Sequence, residues 1–206
     1  MFSDLTLELQ NFTDTSKQYI VPMLAIIGGL WAFNCLNWLT GSKLNSLGIR
    51  PRKIRGLIGI VFAPILHADF THLLFNTMPL FFLGLFVMTQ DMTKFIWATV
   101  IITFIAGFGV WLIGRRGNHI GASALIAGYF GYILASAYKQ PTISTIFCAV
   151  IALYYFGSIL FSLFPTKQGT SWEGHLCGFL GGLAAYLICQ YYEQWQDLLI
   201  EIRNFV

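Results

Sequence analysis

Charged residues are scarce in this chain of 206 residues. Lysine, arginine, aspartate and glutamate make up 10% of it, 56% is hydrophobic, and the mean hydropathy is +0.68. A water-soluble domain of this size needs far more polar surface, so the composition excludes that class and predicts an integral membrane protein. The net charge is only +3 and the basic residues lie in loops, which argues against nucleic acid as a partner.

Paired cysteines and a basic amino-terminal cluster are also absent. Cysteines occur in or beside apolar runs, without paired spacing, at Cys35, Cys148, Cys177 and Cys189. We interpret them as small buried side chains, not as disulfides or metal ligands. The histidines show no His-x₃-His spacing, so neither a metal nor another cofactor is expected. Asp4 and Glu8 stand where a signal peptide would carry basic residues, so a cleavable signal peptide is not expected.

Six apolar runs predict six membrane-spanning helices. A helix needs about 20 residues to cross roughly 30 Å of hydrocarbon. The runs are Ile20–Leu39, Thr71–Met88, Phe95–Ile113, Ser123–Tyr138, Thr142–Phe164 and Trp172–Tyr192. We therefore predict an all-α membrane protein with a core at residues 20–192, short tails at residues 1–19 and 193–206, and both termini on the same side.

One further apolar segment, Leu57–Leu66, is too short to cross a membrane. It has only about ten residues, is bounded by Gly56 and is broken by Pro64. We interpret it as an interfacial or re-entrant segment within the first loop.

Three of the predicted spans carry polar residues at their starting ends. Spans two, four and six run in the same direction, so His72 with Asn76, then Ser123, then His175 all lie on one side. The fourth span is only about 24 Å long at the usual rise per residue, which places Ser123 below the near interface. Polar groups at that depth require burial in protein or a water-filled cavity. The pattern predicts a wet pocket inside a helical bundle.

These residue types fit nucleophilic catalysis. The hydroxyl of Ser123 needs a base to take its proton, and neutral His175 is suited to that near pH 7. Acyl transfer also needs donors for the developing oxyanion, which the Asn76 amide and the Ser123 N–H can supply. No acidic residue lies in the interior of a predicted span, and Glu173 is expected at the interface. A Ser–His dyad is therefore favoured over a triad.

Several of these residues also have a purely structural interpretation. A lone Gly-x-Ser is a weak signal, and Leu125 occupies the place where a hydrolase elbow has its second glycine. Ser158 is expected to bond back to its own helix. His67 and His119 are interpreted as interfacial polar residues.

Small residues recur at every fourth position in the fourth and sixth spans. They are Ser123, Ala127, Gly131 and Ala135 in one span, and Gly174, Gly178 and Gly182 in the other. This spacing is typical of membrane helices whose backbones approach closely. We expect the two helices to pack together and to bring Ser123 to His175.

The chain resembles the rhomboid intramembrane serine proteases in three stretches. They are His67-Ala-Asp-Phe-Thr-His72-Leu-Leu-Phe-Asn76, Gly121-Ala-Ser123 and Trp172-Glu-Gly-His175-Leu-Cys-Gly178-Phe-Leu-Gly181-Gly182. The resemblance covers the predicted six-span core and implies a rhomboid-like bundle with a membrane-embedded first loop. It implies that Ser123 is the nucleophile and His175 the base, with an oxyanion site formed by His72, Asn76 and the Ser123 amide. Gly121, Gly178 and Gly182 are expected to support this site.

The activity that the resemblance implies is hydrolysis of peptide bonds in or next to transmembrane segments, without metal or cofactor. The implied partners are transmembrane substrates and the lipid bilayer, and the implied location is a bacterial inner (cell) membrane, as a multi-pass protein. Two alternatives stay open, together with the oligomeric state. One is a catalytically silent rhomboid-fold protein that binds or escorts membrane clients. The other is a small transporter or channel, which neither an intramembrane carboxylate nor an internal repeat supports.

The sequence departs from the family pattern at three places. Ala124 follows the serine where glycine is frequent, and Ala127 replaces an aromatic residue that usually packs on the catalytic histidine. The Trp-Arg pair of the first loop is missing, with Arg55-Gly56 nearby. None of these changes removes a reacting group, so we expect them to affect rate and substrate preference.

Loop charge and family resemblance disagree about orientation. Basic residues on the predicted active-site side are Lys43, Arg50, Arg52, Lys53, Arg55, Arg115, Arg116 and Lys167, against Lys17, Lys94, Lys139 and Arg203 on the other side. The positive-inside tendency favours a cytoplasmic active site. The resemblance implies the opposite orientation, and folded loops can pair or bury such charges.

Overall fold

The computed structural model describes residues 2–165 and 171–205. Their regular secondary structure is helical, and these residues form no β-strands. The α-helices are α1 (Phe2–Leu39), α2 (Gly59–Phe62), α3 (Phe70–Gln90), α4 (Met92–Ile113), α5 (Ser123–Lys139), α6 (Ile143–Phe156) and α7 (Trp172–Phe205). Short 3₁₀ segments lie at Lys43–Leu47, Ile54–Gly56, Ala63–Ile65 and Gly157–Leu163. The predicted all-α class is confirmed for this part of the chain.

Four helical segments are long and apolar enough to cross a membrane, as far as the described residues go. They are Thr6–Leu39, Phe70–Gln90, Met92–Ile113 and Ile143–Leu163. The other two long helices, α5 and α7, do not meet these limits of length and hydropathy. Helix α5 has only 17 residues, and small and polar residues lower the mean hydropathy of α7. The structure therefore shows an integral membrane bundle, and the count of six spans stays a prediction.

Both predicted tails continue neighbouring helices. Helix α1 begins at Phe2, and α7 runs on to Phe205. Neither residues 2–21 nor residues 193–205 contain a glycine or proline that would end a helix. The predicted limits at residues 19 and 193 thus fall inside helices, and the division into core and tails stays a prediction.

The fifth predicted span is not one continuous α-helix. Helix α6 ends at Phe156, and the chain continues as the 3₁₀ segment Gly157–Leu163. A 3₁₀ run has three residues per turn, so it turns its side chains in directions that an α-helix would not. Gly157 stands at the change, where a residue with low helix propensity makes the break less costly. The predicted span Thr142–Phe164 corresponds to the apolar helical segment Ile143–Leu163, which changes from α to 3₁₀ geometry at Gly157.

The first loop makes short turns instead of a spanning helix, as predicted for Leu57–Leu66. It folds back on itself so closely that a Cβ on Gly56 would overlap the Arg50 backbone. It also lies on α4, where a Cβ on Gly107 would come 2.7 Å from Ile60 Cγ2. Ile54 is left 85% exposed, an apolar edge that is suited to contact with lipid.

Helices α5 and α7 form the closest contact of the bundle. A Cβ on Gly182 would overlap the Gly128 carbonyl, and a Cβ on Gly131 would come 2.5 Å from the Phe179 carbonyl oxygen. The backbones can approach to this distance only because side chains are missing from both surfaces. The predicted close packing of the small-residue faces is confirmed.

Candidate active site

Ser123 is the first residue of α5, and the loop before it fixes its backbone. Gly121 has a φ of +119°, which residues with a side chain rarely adopt, and its N–H donates to the Ala63 carbonyl at 2.8 Å. The Ala122 N–H points to His67 Nε2 at 3.4 Å. The Ser123 N–H bonds to no acceptor in the described part of the chain. It is therefore a free donor beside the Ser123 hydroxyl.

His72 lies beside Gly121 with a defined ring orientation. Asp69 caps α3 by accepting the His72 N–H at 2.8 Å, which places His72 in the first turn. The Ala68 N–H donates to His72 Nδ1 at 3.4 Å, so the ring proton resides on Nε2. Nε2 faces Gly121, because a Cβ on that glycine would lie 2.7 Å from it. His72 thus offers an N–H donor next to the turn that leads to Ser123.

Asn76 lies one turn after His72 on the same face of α3. It is only 6% exposed, and its Nδ2 donates to the His72 carbonyl at 3.0 Å. That bond uses one of the two amide hydrogens. Nδ2 also lies 3.9 Å from the position of a Cβ on Gly121. The second hydrogen is therefore available on the side of the site.

His175 lies in the first turn of α7, and a glycine brings that turn against α5. A Cβ on Gly178 would overlap the Ala124 carbonyl. The α7 backbone just after His175 therefore touches the α5 backbone just after Ser123. The Ser162 carbonyl faces the His175 ring, but Nδ1 makes no hydrogen bond of regular geometry to any described residue.

Ser123, His175 and Asn76 line one cavity of about 370 Å³. Helix α3 forms one wall of this main cavity and the Gly157–Leu163 segment forms another. Its other lining residues are Phe75, Met78, Pro79, Ile126, Phe156, Ser158, Ile159 and Ser162. The structure therefore brings Ser123, His175 and Asn76 to one cavity, whose lining does not include His72, and the described contacts include no hydrogen bond between Ser123 and His175. Gly121 and Gly178 lie at the contacts beside these residues, and Gly182 lies one turn further along α7.

A second and much smaller cavity also touches Ser123. Its volume is about 50 Å³, and its lining includes Gly121, His119 and Gly174. Since a water molecule occupies roughly 30 Å³ in the liquid, this small cavity has room for one or two waters or a small side chain. Ser123 is thus the one predicted site residue that faces both cavities.

Comparison with known proteins identifies the family. The family model of the rhomboid domain matches residues 55–192, which hold every predicted site residue. The chain belongs to the rhomboid family.

Its bacterial relatives extend this likeness over most of the chain. An uncharacterised protein of Mycobacterium tuberculosis is 39% identical over 176 residues, covering 81% of this chain and 73% of that protein. An uncharacterised protein of Mycobacterium leprae is 36% identical over 179 residues, covering 82% and 70%. A Bacillus subtilis protein, YdcA, provisionally described as a rhomboid protease, is 27% identical over 198 residues, covering 87% and 94%.

The histidine of this rhomboid lacks the aromatic support that the family pattern implies. Ala127 is 0% exposed and has no ring to place against His175. Because Nδ1 of His175 also makes no regular hydrogen bond to any described residue, its orientation depends on how firmly the start of α7 is held.

Interpreting His67 as an interfacial polar residue was wrong. It is 0% exposed, its backbone N–H donates to Asn34 Oδ1 at 2.9 Å, and its ring packs on His72 with centroids 5.0 Å apart. Burial, reinforced by the nearby His72, lowers the pKa of His67 to about 4. The neutral ring can then accept the Ala122 N–H. Asn34, a polar residue inside the first predicted span, was the sequence signal of this buried network.

The interfacial position of Glu173 stays a prediction, and the structure adds that its side chain is paired within the protein. Its side chain is 1% exposed, and it accepts a hydrogen bond from Arg115 Nε at 2.8 Å. Among the contacts that the structure describes, its carboxylate accepts hydrogen bonds from Arg115, lies 3.4 Å from Ser171 Oγ and makes no bond to His175. His119 is half-buried and bonded to Ser171. No local pattern indicated this pairing, because its members lie far apart in the sequence.

Two minor predictions, on Ser158 and on the cysteines, have mixed outcomes. Ser158 does not bond back to its helix: it is exposed at the main cavity, whereas Ser162 donates to the Ile159 carbonyl at 2.6 Å. Cys148 and Cys189 are buried as predicted, but Cys35 is exposed and Cys177 only partly buried. The described residues contain no group of three or more His, Cys, Asp or Glu side chains that could hold a metal ion.

Proposed function

We propose that this rhomboid is an intramembrane serine protease that hydrolyses peptide bonds in or next to transmembrane segments of other membrane proteins. The main cavity carries the proposal, because it joins a serine, a histidine and an amide donor inside an apolar bundle. Structural polar residues in a membrane protein are usually bonded to each other. Here the Ser123 N–H and one Asn76 hydrogen are left available, as an oxyanion site requires.

The proposed reaction begins with attack of Ser123 Oγ on the scissile carbonyl carbon. His175 takes the hydroxyl proton as the new C–O bond forms, and later gives it to the leaving amine. The resulting acyl-enzyme is hydrolysed when His175 in the same way activates a water molecule. No acid bonds to the base among the described residues, so the proposal keeps the Ser–His dyad.

The negative charge on the carbonyl oxygen is stabilised by N–H donors that are already in place. These are the Ser123 backbone N–H, His72 Nε2–H and the second Nδ2–H of Asn76. The Ala68 bond to Nδ1 is what keeps the His72 proton on Nε2. Fixed donors of this kind lower the barrier because they need no rearrangement as charge develops.

We further propose that the substrate enters between α3 and the Gly157–Leu163 segment, where the main cavity opens. Peptide carbonyls in an intact helix are already hydrogen-bonded, so the client must unwind locally to reach Ser123. The residue before the scissile bond would place its side chain in the small cavity of about 50 Å³. That volume favours Ala, Ser, Gly or Cys.

The proposed location is the inner (cell) membrane of a bacterium, with the active site facing away from the cytoplasm. Two of the basic residues that oppose this orientation make specific contacts within the folded chain. Arg115 pairs with the buried Glu173, and Arg52 Nη1 donates to the Leu112 carbonyl at 3.0 Å. The six-span bundle puts both termini on the cytoplasmic side in this orientation.

Cleavage of a single-span client by purified protein in lipid vesicles tests the function. We expect the wild-type protein to cut near the active-site end of the client span, and Ser123→Ala and His175→Ala to lose about 10⁴-fold or more of the rate. Ser158→Ala, which alters an exposed serine in the main cavity, is the matched control and should retain cleavage. Binding of clients without cleavage by the wild type would instead support the catalytically silent alternative.

A further inference from the structure

An ion pair joins the loop before Ser123 to the helix that carries His175, with the Glu173 side chain 1% exposed and the Arg115 side chain 51% exposed. Arg115 lies in that loop, and Glu173 lies two residues before His175. The Glu173 carboxylate accepts Arg115 Nε at 2.8 Å, the Arg115 backbone N–H at 3.2 Å and Nη2 at 3.4 Å. Two side-chain bonds and one backbone bond fix both the position and the angle of the loop relative to α7.

His119 and Ser171 extend the ion pair into a network. His119 Nε2 lies 2.8 Å from the Arg115 carbonyl oxygen, which can only accept, so Nε2 carries the ring proton. His119 Nδ1 can therefore accept the Ser171 hydroxyl, 2.9 Å away. Ser171 Oγ in turn accepts the Gly174 N–H at 3.3 Å, as an α7 cap. We name Arg115, His119, Ser171 and Glu173 the loop–helix clasp.

The clasp is also tied to the first loop. The His119 backbone exchanges two hydrogen bonds of 2.9 Å with Ile49, one in each direction. Three segments therefore meet at His119: the first loop, the loop before Ser123 and the start of α7. None of the four clasp side chains takes part in the proposed proton transfer or oxyanion stabilisation, although His119 and Ser171 line the small cavity.

We propose that the clasp positions His175 against Ser123, an inference that rests on the proposed protease function. Ala127 offers His175 no aromatic ring, and among the described residues no carboxylate bonds to Nδ1, although the Ser162 carbonyl faces the ring. The geometry of the dyad must then come from the backbones that carry the two residues. Gly178 sets how closely the helices approach, and the clasp sets the register and angle of the first turn of α7. The Glu173 carboxylate, 1% exposed, is a positioning group.

A double-mutant cycle in kcat separates this role from a general structural one. Glu173→Gln and Arg115→Ala should each lower kcat about 10- to 100-fold, the range expected for a misplaced reacting group, and leave KM unchanged. The double variant should be no slower than the slower single variant, because both changes break the same pair. Arg116→Ala removes the neighbouring exposed arginine and should have no effect. Losses that multiply in the double variant, or that appear only in KM, would overturn the proposal.

Hydrogen–deuterium exchange tests the positioning without any need for activity. Glu173→Gln alters α7, yet we expect faster exchange in the loop at residues 115–122 as well as at residues 172–176. Exchange that is unchanged in that loop would overturn the proposal, whatever kcat does. If Glu173→Gln does not fold, Arg115→Lys keeps the charge but loses the planar fork, and should cause smaller losses in the same direction.

The two proposals fail in distinguishable ways. A wild-type protein that neither cleaves clients nor reacts with a serine-directed probe would reject the protease function, while the exchange experiment would still decide on the clasp. If the enzyme is active but Glu173→Gln leaves hydrogen–deuterium exchange in the loop unchanged, the protease function stands and the proposed role of the clasp is rejected.

Discussion

Ser123 stands between a closed side and an open side of the bundle. On the closed side, α5 meets α7 so tightly that a Cβ on Gly178 would overlap a backbone carbonyl. On the open side, a cavity of about 370 Å³ separates Ser123 from α3 and the Gly157–Leu163 segment. The reacting groups are therefore held by backbone contact, while the approach to them is lined by movable side chains.

The two sides use different residues for physical reasons. Glycine faces let backbones touch, and such contacts have almost no freedom to adjust. The open side carries large apolar side chains, such as Phe75 at 76% and Met78 at 57% exposure, which can change rotamer in nanoseconds or less. A protease for helical clients needs both properties, since the chemistry requires fixed geometry and the substrate requires entry.

The largest effect is expected from adding a side chain on the closed side, where α5 and α7 are in contact. Gly178→Val would force α5 and α7 apart, because its Cβ would occupy the place of the Ala124 carbonyl. Overpacking costs about 1–3 kcal/mol when side chains can yield, and more where backbone is struck. We expect a clear fall in Tm in detergent and complete loss of client cleavage.

Gly28→Ala is the control for that change, because nothing lies within 4 Å of a Cβ at Gly28. It should leave both Tm and cleavage unchanged. A Gly178→Val protein with the wild-type Tm and rate would show that α5 and α7 do not pack as closely as described.

The second effect concerns the oxyanion donors. Asn76→Ala removes one donor and should lower kcat by about 10- to 10³-fold, as seen for single oxyanion donors. KM should change little, because the interaction forms mainly in the transition state. Initial rates over a range of client concentrations give both constants. A change confined to KM would show that Asn76 positions the substrate.

A third, intermediate effect is expected from changes in the client. Replacing helix-destabilising Gly in its span with Leu should slow cleavage about fivefold per residue, since Gly costs a helix about 1 kcal/mol. Phe before the scissile bond should block cleavage, because it does not fit the small cavity. Cleavage products identified by mass spectrometry give site and rate. Efficient cleavage after Phe, or of a stable poly-Leu span, would contradict the narrow site and the need for unwinding.

The smallest effect is expected from shortening a side chain on the open side. Phe75→Ala removes a mostly exposed side chain at the edge of the main cavity. The free energy of unfolding should change by about 0.5 kcal/mol or less, while KM for a large client shifts modestly. A loss of stability comparable to that of Gly178→Val would mean that the two sides do not differ as described.

The closed side could be predicted from the sequence, and the open side could not. Regular spacing of Gly174, Gly178 and Gly182 indicates close packing because it is a local, periodic signal. The convergence of Ser123 and His175 follows from the direction of the spans. The 3₁₀ break after Phe156 lies in an apolar run whose composition does not distinguish it from a continuous helix.

The identity of the partners in long-range polar pairs was the other feature that the sequence did not indicate. Glu173 and His67 lie at span starts, where a polar residue is equally compatible with the interface and with a buried partner. Which of the two occurs depends on where Arg115 and Asn34 are brought by the fold. A local reading of the chain does not contain that information.

Covalent labelling of the purified protein with a serine-directed fluorophosphonate tests the central claim most directly. It asks whether Ser123 is activated, without a client and without any assumption about entry. We predict modification of Ser123 alone, located by mass spectrometry, and its loss in both Ser123→Ala and His175→Ala. Labelling that persists in Ser123→Ala, or that falls on Ser158, Ser162 or Ser171 instead, would contradict the account.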